Sequence, residues 1–103
     1  MKLRCTALAI ATVSLLGAGT AQADAALAKA RNCTACHASD RKLIGPAFKT
    51  IGAKYRDDAG AAARLVGKVR GGGVGVWGKV PMPANPQVND QEALTLVKWI
   101  LAQ

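Results

Sequence analysis

Cys33-Thr34-Ala35-Cys36-His37 is the stretch on which the reading of this chain turns. Two thiols three residues apart on one turn of helix reach the two vinyl groups on neighbouring edges of a porphyrin. Thioethers formed there keep the ring from dissociating even from a small protein. A histidine directly after the second cysteine is held under the ring centre, where one imidazole nitrogen meets the iron. Two other readings of C-x-x-C compete with haem attachment. A thioredoxin-like redox pair calls for a βαβ pattern, and none accompanies it. Half a zinc site calls for more ligands, but beyond residue 23 there is no further cysteine and no second histidine. Haem attachment is the favoured reading.

Upstream of the motif, Lys2 and Arg4 precede Cys5 to Leu16, a run of apolar and small residues, and Ala21-Gln22-Ala23 follows. A basic start, a short apolar run and an A-x-A exit predict a secretory signal peptide over residues 1–23, too short to span a membrane stably. The competing reading is a retained N-terminal anchor. Lipid attachment is disfavoured, because Cys5 precedes the apolar run instead of following it. Export agrees with the haem reading, since such attachment is completed outside the cytoplasm. Cleavage after Ala23 predicts a single domain over residues 24–103. A chain this short buries only about 60% of its unfolded surface. One disulfide across so small a loop would stabilise little, whereas a large apolar cofactor would supply the missing core.

The chain has 14 basic and 6 acidic residues, a formal charge of +8. Loss of Lys2 and Arg4 leaves twelve against six, or +6. The basic residues are scattered from Lys29 to Lys98, and two tryptophans, one tyrosine and one phenylalanine form no aromatic-interleaved strip. Nucleic acid is therefore not an expected partner. The charge itself reads either as solvated surface or as steering toward an acidic protein partner or an anionic membrane face.

Helical signals dominate residues 24–103. Asp24 is expected to cap a helix through Ala25 to Ala30 that runs directly into Asn32-Cys33. Gly45-Pro46 breaks the chain and is expected to start a second helix, with proline at its first position and Phe48, Ile51 and Tyr55 at helical spacing. Asp57-Asp58 opens a third, Ala59 to Arg70, which Gly71-Gly72-Gly73 ends. Asn89 to Glu92 reads as a capping box before a fourth helix, whose apolar face carries Ala93, Leu96, Val97 and Ile100, with Trp99 in the core where the first and last helices cross. No strand-type alternation is convincing, so the fold class is all-α. The glycine- and proline-rich stretch Gly71 to Val88 is left without assignment, and a segment of that length points to something it must wrap around.

That stretch holds Met82 between Pro81 and Pro83. With Met1 lost in the signal peptide, Met82 is the one methionine left, as His37 is the one histidine. The flanking prolines have fixed φ and push Val80 and Met82 toward extended geometry, which stiffens the loop and can hold a thioether sulfur at bonding distance. A methionine filling a gap in the core is the competing reading. Beside a haem motif, Met82 as the sixth iron ligand is preferred.

The sequence resembles class I cytochromes c, specifically the short bacterial c-551/c-552 group. The matching features are Cys33-Thr34-Ala35-Cys36-His37, Leu43-Ile44-Gly45-Pro46-Ala47-Phe48, Gly75-Val76-Trp77-Gly78, Pro81-Met82-Pro83 and Leu96-Val97-Lys98-Trp99, covering nearly all of residues 24–103. The resemblance implies a small fold of about four helices wrapped around one covalently attached haem c and its iron. It also implies that the Pro46 carbonyl accepts from the ring N–H of His37, that the Trp77 indole donates to a haem propionate, and that Asn85 hydrogen-bonds near the Met82 sulfur. Relatives commonly carry arginine near the propionates where this chain has Lys68, which offers charge without a planar two-pronged contact. Pro86-Gln87 includes one extra residue in the loop after Asn85.

The function so implied is a soluble periplasmic electron carrier, not an enzyme, with no catalytic residue. His37 and Met82 would leave iron no open position, so one electron passes between Fe(II) and Fe(III). The rival class, a small peroxidase or gas-binding cytochrome, would need a labile Met82 and a catalytic acid or base. The expected partners in a respiratory chain are a bc-type complex as donor and a haem nitrite reductase or haem-copper oxidase as acceptor. They would meet a monomer, without a membrane span after cleavage, through acidic docking surfaces.

Overall fold

Alanine and other good helix formers fill the chain ahead of the cysteine motif, and they form α1, Ala18–Ala30. This computed structural model describes residues 18–103; of the expected signal peptide, residues 1–17 lie outside the described residues. Asp24 does not begin α1, as the composition suggested, because Ala21, Gln22 and Ala23 carry the helix through it. The expected cleavage point thus falls inside α1. Nor does the helix run into Cys33. Asn32 adopts φ 63°, a left-handed conformation that asparagine tolerates better than most side chains. Its N–H closes on the Lys29 carbonyl at 3.1 Å, and Cys33–Ala35 form a separate 3-10 turn.

After that turn the chain loops back on itself. The Gly45 N–H donates to the Cys36 carbonyl at 2.8 Å. Helix α2, Phe48–Tyr55, starts after Ala47, so Pro46 lies ahead of the helix instead of at its first position. The reason is visible in the orphan donors of the first turn. Phe48 N and Lys49 N donate to the carbonyls of Ala38 and Ser39 at 2.9 and 3.0 Å. The loop after the cysteine motif, and not the proline, therefore caps α2.

Helix α3, Ala61–Gly71, follows Gly60 as N-cap, two residues later than the acidic pair suggested. Asp58 still organises the entry, accepting from Gly60 N at 3.0 Å and from the Arg64 guanidinium. The glycines end it as expected: Gly72, at φ 72°, returns its N–H to the Lys68 carbonyl at 2.8 Å. Helix α4, Asp90–Leu101, has the capping box complete, with Glu92 N on Asn89 Oδ1 at 2.9 Å and Asn89 N on Glu92 Oε2 at 3.2 Å.

Between α3 and α4 the chain is not structureless. It forms a small antiparallel hairpin of β1, Gly73–Gly75, and β2, Gly78–Met82, pairing Gly73 with Met82 and Gly75 with Gly78. No apolar alternation announced it, because glycine fills β1 and Pro81 sits in β2, where an edge strand tolerates a missing donor. The fold class remains all-α with this minor addition.

Helix α4 is the hub, packing on α1, α2 and α3. Ala28, Val88, Ala93 and Leu96 form a fully buried cluster joined by half-buried Val66, Val69 and Trp99. Burying each larger member such as Leu96 or Val88 stabilises the fold by about 1.5–3 kcal/mol. Trp99 packs against that cluster and meets Phe48 of α2 edge-on, with centroids 5.1 Å apart and planes at 65°. Gly52 lets α2 and α4 approach, since a Cβ there would lie 2.8 Å from the Ile100 carbonyl oxygen.

Candidate haem cleft

A concave cleft of about 470 Å³ opens between the cysteine turn and the hairpin. Cys33, Cys36, His37, Pro46, Lys68, Trp77, Met82 and Asn85, the residues singled out by sequence, all line it. Its walls explain why so small a core suffices. Ile44, Val74, Val76, Trp77 and Val80 are 42–64% exposed and all face the cleft. Five large apolar side chains gathered uncovered in one concavity are a seat for an apolar group. Lys42, Lys68 and Lys79 are the charged residues in the lining, with no carboxylate among them, which suits a group bearing anionic substituents. With two thiols, an imidazole and a thioether in the same lining, the residues present fit a haem.

His37 is oriented from three sides. Its Nδ1 lies 2.7 Å from the Pro46 carbonyl oxygen. A carbonyl only accepts, so Nδ1 carries the proton and Nε2 keeps its lone pair for a metal. Phe48 stacks on the ring with centroids 5.3 Å apart and planes at 20°. Gly45 presses against it from the backbone: a Cβ there would sit 2.5 Å from His37 Cε1 and 2.9 Å from Nδ1. The sequence offered Gly45 only as a turn signal, and nothing local marks it as the floor beneath an imidazole.

The two cysteines are not joined to each other. They hang from the 3-10 turn, where Cys36 N and His37 N both donate to the Cys33 carbonyl, at 3.2 and 3.0 Å. Burial pushes the Cys33 thiol up from its ordinary value, against a smaller opposing effect of a backbone hydrogen bond.

Met82 ends β2 on the opposite wall, paired with Gly73. Asn85 ties the chain after it to α3: its Nδ2 donates to the Val69 carbonyl at 2.9 Å and to the Pro83 carbonyl at 3.2 Å, and its backbone N to the Arg70 carbonyl at 3.1 Å. Lys68 leaves α3 and lays its ammonium over Gly73. Trp77, between the strands, has the Lys54 ammonium 5.6 Å from its ring centroid, a cation–π contact between α2 and the hairpin, and the Tyr55 ring, within α2, lies 5.7 Å from the same ammonium.

A family profile described as Cytochrome c matches residues 21–103. Cytochrome c-552 of Nitrosomonas europaea is 55% identical over 91 residues, 88% of this chain and 88% of its own. Cytochrome c-551 of Pseudomonas aeruginosa is 47% identical over 100 residues, 90% of this chain and 95% of its own. The crystal structure of wild-type Nitrosomonas europaea cytochrome c552 superposes with a TM-score of 0.74 at 52% identity, over 76% of this chain and 96% of that one.

Proposed function

Since the chain belongs to the cytochrome c family, in its c-551/c-552 group, we propose that Cys33 and Cys36 hold its haem, with His37 and Met82 as the two iron ligands. The protein is a small electron carrier with one covalently attached haem, and not an enzyme. When bound, the haem supplies a one-electron Fe(II)/Fe(III) couple. The observation that carries the site assignment is the cleft itself, with a lone pair on His37 Nε2 at one wall, Met82 at the other and five uncovered apolar side chains between.

Each residue then has a physical task. Pro46 fixes the His37 tautomer and raises its basicity by accepting from Nδ1. A soft thioether from Met82 favours the ferrous state and raises the potential. Ile44, Val74 and Val80 exclude water, so little solvent reorganises when charge changes. Trp77 and Lys68 serve the propionates, Lys68 by charge alone. Asn85 anchors the loop that presents Met82 and lies in the same lining as its sulfur. Asp58, Asp90 and Glu92 are engaged by arginines, which leaves them unsuited to proton transfer in the cleft.

We place the carrier in the periplasm, as residues 24–103 after removal of residues 1–23, on the strength of the signal-like composition at the start of the chain. Among the described residues no helix is long and apolar enough to cross a membrane. The +6 charge and the lysine-lined cleft support docking, as a monomer in a respiratory chain, on acidic surfaces of a bc-type donor and of a haem nitrite reductase or haem-copper oxidase. A Met82→Ala variant tests the ligand assignment. It is expected to lower the potential markedly and admit carbon monoxide to the ferrous form, and an unchanged spectrum would show that another group binds the iron.

A further inference from the structure

The arm that carries Met82 contains Pro81, Pro83 and Pro86, which stiffen it but have no backbone donor with which to fasten it to its surroundings. It is held from outside, by the end of α3. The last carbonyls of a helix lack intrahelical partners, and here the arm supplies them: Val69 O takes Asn85 Nδ2 at 2.9 Å and Arg70 O takes Asn85 N at 3.1 Å. Gly72 brings the two backbones together, since a Cβ on it would lie 2.5 Å from the Met82 carbonyl oxygen and 2.7 Å from Ala84 N.

Arg70 goes further than its neighbours. Its Nε donates to the Val88 carbonyl at 3.0 Å and its Nη1 to Asp90 Oδ1 at 2.6 Å. Together with its own carbonyl on Asn85, one residue grips the segment at positions 85, 88 and 90. Val88 is wholly buried in the core cluster, so the guanidinium fastens the arm where the arm enters the core.

We propose that Arg70 is a positioning residue for Met82: it pins the far end of the arm to α3 and so keeps the thioether from leaving the iron. The proposal rests on the reading of Met82 as a ligand. Arg31 provides an internal comparison. It also binds the start of α4, through Glu92 at 2.5 and 3.2 Å, but from the turn after α1 and with no hydrogen bond to the arm. Both arginines therefore steady α4, and only Arg70 reaches back toward the methionine.

The test uses the haem-loaded protein in its oxidised form, with cyanide as the probe. At saturating cyanide the rate of binding reports release of the sulfur, and the near-infrared sulfur-to-iron band reports ligation directly. Arg70→Ala is expected to bind cyanide about tenfold faster than wild type, the scale of two lost charge-assisted hydrogen bonds partly screened by water. Arg31→Ala is expected to bind at the wild-type rate although it also loses an arginine from α4. Arg70→Lys keeps the charge without the two-pronged geometry and is expected to fall between. Equal rates for Arg70→Ala and Arg31→Ala would overturn the proposal. If the alanine variant does not assemble, a wild-type rate for Arg70→Lys would overturn it. A wild-type protein without the near-infrared band would instead overturn the assignment of Met82, whereas a wild type with the band and indifferent Arg70 variants would leave that assignment standing.

Discussion

The two walls of the cleft are built by opposite means. The histidine wall is contiguous: residues 32 to 48 supply the left-handed Asn32, both thiols, the imidazole, its carbonyl partner and its stacking ring. The methionine wall is assembled from separate pieces, the end of α3, the hairpin and the arm to α4, joined by Gly72, Asn85 and Arg70. A contiguous wall keeps its geometry through short loops that lose little entropy on closing. An assembled wall depends on contacts from several elements and opens locally when one is lost. Of the two proposed ligands, the one expected to stay is thus on the first wall, and the one expected to leave is on the second.

Glycine substitutions on the two walls sharpen that contrast. Gly72→Ala combines a positive φ of 72° with a Cβ 2.5 Å from the Met82 carbonyl oxygen, so backbone would have to move. Strain of this kind costs about 1–3 kcal/mol before the steric conflict is added. The largest loss of thermal stability is expected there, with a weakened sulfur-to-iron band. Gly45→Ala sets a Cβ 2.5 Å from His37 Cε1, an overpacking that costs about 1–3 kcal/mol. It is expected to reduce the melting temperature while leaving the sulfur band in place. If Gly45→Ala disturbed the band more than Gly72→Ala, the division between the walls would fail.

A smaller effect should follow pH. Glu92 is held below the usual glutamate range, foremost by the Arg31 hydrogen bonds and then by Asn89 N. A depressed carboxylate contributes stability that is fully present above its unfolded value and is lost as pH falls through the lowered one. Denaturant midpoints should therefore decline on acidification below the usual glutamate range, and Glu92→Gln should flatten that decline. The sulfur band should not follow it, because Arg31 and Glu92 lie off the arm.

The same division governs what could be read from the sequence. Local signals were legible: the capping box at Asn89 and Glu92, the glycine end of α3, and the cysteine motif itself, all of which act within a few residues. Asn32 broke the first helix before Cys33 because asparagine tolerates a left-handed turn, a choice that composition alone does not declare. Pro46 was displaced from the helix because its neighbours Ala38 and Ser39 cap α2 and its own carbonyl faces His37. The hairpin, Gly45, Gly72 and Arg70 were not legible as site features. Each acts through contact with a distant or folded-back segment, and glycine records only that a side chain is missing, not what occupies the space.

Methionine ligation is tested most directly by the near-infrared spectrum of the oxidised wild-type protein, followed by exposure of the reduced form to carbon monoxide at neutral pH. A weak sulfur-to-iron charge-transfer band and no carbon monoxide binding are predicted. A missing band together with ready carbon monoxide binding would contradict the proposed closed, methionine-ligated carrier.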